Sequence, residues 1–149
     1  MYAAFIVSAL AATVAAVPQL LDVNADVEAN INAREVYATW PATKFVKACT
    51  ESSCTGSFSV SAPANYVAGA PAFTVECKPQ KDFVDCTGDK GAATVQSKWV
   101  EGSSTEAAEI TVQHVWTEGQ QRSTASGSAR ADAGATEFKL TVDQLTKVL

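Results

Sequence analysis

The chain has 149 residues, 47% of them hydrophobic, which is enough for one domain with a packed core and too little for a multidomain enzyme. Its 11 Lys+Arg against 16 Asp+Glu give a net charge of −5, and the basic side chains are scattered from Arg34 to Lys147 with no stripe among them. Nucleic acid and an anionic membrane surface are therefore not expected partners, and with only 18% charged residues a disordered solvating tail is excluded as well.

Residues 2–17 form an uncharged apolar run that stops at Pro18 and Gln19. The run is shorter than the roughly 20 residues of a membrane-spanning helix and reads as a secretory signal peptide. Val14 and Ala16 satisfy a relaxed small-x-small rule, so 1–16 is expected to be removed, leaving no membrane association. Residues 17–34, acidic and rich in Asn and Ala, read as a pro-segment or a disordered N-terminal arm, and residues 35–149 as a single β domain. No Asn-x-Ser/Thr sequon occurs.

Four cysteines, Cys49, Cys54, Cys77 and Cys86, allow three pairings. An exported chain oxidises such pairs, and the spacing favours Cys49–Cys54 and Cys77–Cys86, each closing a local loop and each contributing roughly 2–3 kcal/mol. A zinc site is disfavoured because no C-x2-C occurs and His114 is the only histidine.

Along the folded part, apolar and polar side chains alternate in short runs between Gly, Pro, Ser and Asp clusters, about eight strands in all. Phe58 and Val60 share one face of 57–61, and Phe73, Val75 and Cys77 one face of 72–77. Residues 83–86 return after the 78–82 turn as a hairpin that Cys77–Cys86 staples. Val95, Ser97 and Trp99 share a face of 94–100; Ile110, Val112, His114 and Trp116 share a face of 109–117. The small, polar run 123–129 reads as an edge or a closely approached strand, and 137–142 alternates around Phe138, Leu140 and Val142. The expected fold is all-β, a small disulfide-stapled antiparallel barrel or folded-over sandwich.

The segments F-S-V-S-A-P-A-N-Y-V-A-G-A-P-A-F-T-V-E-C (58–77), D-F-V-D-C-T (82–87), I-T-V-Q-H-V-W (110–116) and F-K-L-T-V (138–142), behind a secretory leader, resemble the small secreted fungal proteins grouped with the major allergen of Alternaria. The resemblance covers residues 45 to 142. It implies a compact β-barrel at the fungal surface or around host cells, acting as allergen, elicitor or contact partner of host defence proteins, and not as an established enzyme. It also implies that Cys77 and Cys86 form the family's disulfide between neighbouring strands. The allergen branch carries its second pair near the C-terminus, whereas here Cys49 and Cys54 lie upstream. The even cysteine count leaves no unpaired thiol for a linked dimer, so a monomer or weak homodimer is expected.

Candidate sites are few. His114 would have to serve any imidazole-dependent hydrolase or lyase mechanism, yet no G-x-S-x-G motif accompanies it, and on an apolar face it reads as a core or lining histidine. Asp82 and Asp85 read as solvated turn residues, and Glu101, Glu106 and Glu109 flank a Gly-Ser-Ser-Thr loop without a calcium-loop pattern. Neither a metal nor a cofactor is expected. Trp40, Trp99 and Trp116 either fill the barrel or mark a binding surface, and Tyr66 sits in a long loop of the kind that carries recognition. Tyr66, Trp99, His114 and Trp116 are thus the candidate binding surface. The expected function is a secreted, non-enzymatic effector, elicitor or allergen acting through a host extracellular (apoplastic) protein. The competing reading is a phenolic or lipid carrier with a barrel mouth lined by Trp99, His114 and Trp116.

Overall fold

Alternation of apolar and polar side chains is the pattern of a strand with one wet and one dry face, and the longer strands follow it. The computed structural model describes residues 35–149; the expected signal peptide and the 17–34 arm lie outside those residues. Among the described residues nine strands form: β1 (Ala38–Cys49), β2 (Cys54–Ala62), β3 (Phe73–Cys77), β4 (Val84–Asp85), β5 (Thr87–Asp89), β6 (Thr94–Val100), β7 (Ala108–Glu118), β8 (Gln121–Ala131) and β9 (Phe138–Val148). They make one antiparallel sheet in the order β4-β6-β7-β8-β9-β1-β2-β3-β5, curled into a nearly closed barrel. One inward face of each longer strand supplies the core, led by Trp40, Phe58, Phe73, Ile110 and Leu140.

The two ends of the sheet are short and are joined by a single covalent step. Val84 and Asp85 pair with Ser97 and Gln96 of β6, while Thr87–Asp89 pairs with Glu76–Thr74 of β3. Cys86 lies between them, donates its N–H to Val95 O at 2.8 Å and is disulfide-bonded to Cys77. Residues 84–89 therefore lace the barrel shut, which removes most of the free edge that an open sheet would expose. The expected hairpin between 72–77 and 83–86 does not form: the disulfide is present, but the returning strand crosses to β6 and only the next three residues pair with β3. The other disulfide, Cys49–Cys54, joins directly opposed residues at the β1–β2 turn. Such bonds are typical of proteins that mature in oxidising compartments.

Two bulges change which residues face inward. Between Thr43 and Val46 the β1–β2 register shifts, Lys44 takes φ 56°, and the inward sequence Trp40, Ala42 continues at Phe45 instead of Lys44. On β9 the shift against β8 at Ser126/Gly127 likewise moves the inward set from Leu140 and Val142 to the half-buried Leu145. The re-aimed Phe45 ring then meets Phe138 edge-on at 5.3 Å, and Phe138 meets Phe58 at 5.2 Å.

The small strand β8 is central, flanked by β7 and β9, and not an edge. Its small side chains make room for aromatics from across the barrel: a Cβ on Gly127 would lie 3.2 Å from the Trp40 ring. Close approach, the second alternative for this segment, is the correct one.

Candidate functional site

Chemistry-bearing side chains collect at the two ends of the barrel. At one end, β7 alternation carries His114 and Trp116 inward, and His114 is completely buried. Its ring lies 4.7 Å from that of Phe73, 4.8 Å from Trp116, 5.8 Å from Tyr66 and 6.5 Å from Trp40, centroid to centroid. Trp40 in turn meets Tyr66 and Phe73 edge-on at 5.5 and 5.3 Å. Edge-on contacts set the positive rim of one ring against the negative face of the next.

Tyr66 reaches this cluster because the β2–β3 connection folds back on itself. Asn65, at φ 60°, donates its N–H to Ala70 O at 2.8 Å and accepts the Gly69 N–H on Oδ1 at 3.2 Å. Asn tolerates this left-handed conformation better than most residues, and its side chain completes the turn. The folded loop lays the Tyr66 hydroxyl 2.7 Å from His114 Nδ1 in a hydrogen bond.

Burial sets the protonation states here. It lowers the His114 pKa to about 4, so the imidazole is neutral near pH 7, and it raises that of the Tyr66 phenol, which stays protonated. Four buried polar atoms of the interior have no hydrogen-bond partner among the described residues: Trp40 Nε1, Ser97 Oγ, His114 Nε2 and Ser123 Oγ. A neutral imidazole bonded to a neutral phenol under a folded loop is poorly placed to exchange protons with an external substrate.

At the other end lies a groove of about 430 Å³ at the barrel seam, lined by Thr55 and Gly56 of β2, residues 78–81, Trp99 and Glu101. Gly56 is required there, since a Cβ would stand 2.6 Å from the Trp99 ring. The turn 78–81 is fixed to β6 by the Trp99 N–H, which donates to Gln80 O at 2.8 Å. Beside it the Lys98 ammonium sits 4.8 Å from the centre of the Phe83 ring.

The four residues expected to form one binding surface are thus divided. Tyr66, His114 and Trp116 come together, but His114 and Trp116 are buried and only Tyr66 is half-exposed, so they make an interior cluster and not a surface. Trp99 is buried too and stands apart: it pairs with Ile110, whereas His114 pairs with Val95, four residues along the ladder. A single mouth lined by Trp99, His114 and Trp116 is accordingly not what the strands build. Reasoning from sequence missed Gly56, Lys78 and Lys81, because a Lys-Pro-Gln-Lys run reads only as a turn.

The acidic candidates have ordinary structural roles. Asp85 accepts from Gln96 Nε2 at 2.9 Å, and Glu109 pairs with Arg130 at 3.1 Å on the exposed surface. Glu106 accepts the Ser103 N–H at 2.8 Å, which lowers its pKa, while Lys47 Nζ donates to the carbonyls of Ser103 and Glu106. Among the described residues no three His, Cys, Asp or Glu side chains gather as metal ligands would. No family model, curated protein or solved structure matches the chain.

Proposed function

We propose that this is a secreted, non-enzymatic protein of the effector, elicitor or allergen type that acts by contact with a host extracellular protein, as the resemblance to the Alternaria allergen family implies. One observation supports the reading above the others. The only histidine, the side chain best suited to proton transfer near neutral pH, is sealed beneath Tyr66 with its Nδ1 bonded to the phenol, which leaves recognition to the outer surface. The two disulfides suit a small domain working outside the cell. The test is to immobilise the protein, pass plant apoplastic fluid over it and apply the soluble protein to leaf tissue. A specifically retained host protein together with a dose-dependent response is expected; neither appearing across hosts overturns the reading.

A second reading, a small-ligand carrier, draws on the four buried polar atoms without partners among the described residues. Tryptophan fluorescence titrated with phenolics or lipids separates the two, since Trp40 and Trp116 flank the interior cluster. A saturable change supports the carrier, and a flat response removes it.

A further inference from the structure

The seam is where the hydrogen bonding of the barrel stops short. β2 starts at Cys54, but β3 pairs with it only from Phe58 to Ala62. On that side residues 54–57 meet no strand among the described residues, while on the other side Cys54, Thr55, Gly56 and Ser57 are all matched by β1. Alternate N–H and C=O groups of this stretch therefore face away from β1 with no strand opposite them among the described residues, a template for one more strand. A second cavity of about 380 Å³, lined by Lys81, Trp99, Val100 and Glu101, shares three of these residues with the groove. Val100 is 69% exposed, so an apolar surface runs along it.

The charge on its wall is opposite in sign to that of the protein, with two lysines set against the single carboxylate of Glu101. In a chain of net charge −5, Lys78 and Lys81 stand exposed on the groove wall, and neither is in an ion pair within the described residues. An added strand presents successive side chains to opposite sides. One side would face the lysines and the other would lie along the outward-facing, exposed Val100, so the sequence that fits alternates acidic with apolar.

We propose that this groove receives an extended acidic segment of a partner protein, which pairs with the free edge of β2 while Lys78 and Lys81 hold its carboxylates and the exposed Val100 takes an apolar side chain. The proposal deepens the contact reading and rests on it for the source of the segment; the chemistry of the groove does not depend on that source.

The experiment titrates the purified, 15N-labelled full chain with an eight-residue peptide of alternating Asp and Val. Comparators are the corresponding Lys/Val peptide, the Asp/Val peptide N-methylated at alternate residues, and a peptide of residues 20–34 of this chain. Saturable amide shifts at Thr55, Gly56 and Val100 are expected with the Asp/Val peptide. Binding at least tenfold weaker is expected after N-methylation and in the Lys78→Glu/Lys81→Glu protein, with none by the Lys/Val peptide. Equal binding by the N-methylated peptide overturns strand addition, and equal binding by the Lys/Val peptide overturns charge selection. Tighter binding by the 20–34 peptide overturns an external partner in favour of the chain's own arm. No shift at β2 overturns the proposal outright, and a host protein still retained on the column would then leave the contact reading standing on another surface.

Discussion

The two ends of the barrel are built from the same ingredients, tryptophan against glycine and a polar neighbour, and end in opposite conditions. At the closed end Trp40 rests on Gly127 and is covered by Tyr66 and Phe73, so that His114 loses contact with solvent. At the seam Trp99 rests on Gly56, and what adjoins it is a groove with exposed lysines on its wall. The difference lies in the connection. Residues 63–72 are long enough to fold back over the core, whereas the 78–81 turn is held along β6 and leaves β2 unpaired. A loop that folds inward makes a core; one that is pinned sideways leaves an edge.

The sharpest way to break the comparison is to remove the ring that organises the closed end. Trp40→Ala is expected to cost about 3–5 kcal/mol in denaturant unfolding, as for other large buried aromatics. A cost below about 1 kcal/mol would show that the cluster does not hold that end together.

Acid separates the ends next. His114, ordinarily near 6.5, is held at about 4 by burial, so the unfolded chain binds its proton first as pH falls. The stability present above pH 6.5 is lost progressively toward pH 4, by about 3 kcal/mol in total. Urea unfolding across this range should show that slope in the wild type and lose it in His114→Leu. Equal slopes in the two proteins would mean the imidazole is not buried neutral.

The disulfides sharpen the account of the seam. Cys77–Cys86 holds the segment that pairs with both β3 and β6, while Cys49–Cys54 closes one tight turn. Replacing Cys77 and Cys86 together by Ser should lower stability by roughly 3 kcal/mol or more, and replacing Cys49 and Cys54 by less. Thermal melts after peptide mapping of the pairings decide this, and an equal or reversed loss would contradict the lacing role of residues 84–89.

How much of this was legible depends on where alternation survives. β6 and β7 have no bulge in their register, and their inward faces, Val95-Ser97-Trp99 and Ile110-Val112-His114-Trp116, were readable residue by residue. β1 escaped notice because its inward set changes parity at Lys44, hiding Trp40, Ala42 and Phe45 as members of one strand. The same parity change at Asp143 ended the expected last strand at Val142, although β9 runs on to Val148. β5 is Thr-Gly-Asp with every residue exposed, so no pattern announces it; it exists because β3 offers an edge. The closed end was half legible: alternation gave His114 and Trp116, but the inward fold of the Tyr66 loop rests on one left-handed Asn. The seam groove was not legible, because it is made by the absence of pairing.

The smallest expected effect on stability belongs to Lys78→Glu/Lys81→Glu, within about 0.5 kcal/mol, as for exposed side chains without strong partners. That small cost makes the variant useful in the most direct test of the central claim, that one end is structural and the other recognises. The measurement is retention of host apoplastic protein on columns of wild type, Tyr66→Phe and Lys78→Glu/Lys81→Glu. Retention should persist with Tyr66→Phe and fall at least tenfold with the lysine variant; the opposite ranking would contradict the account.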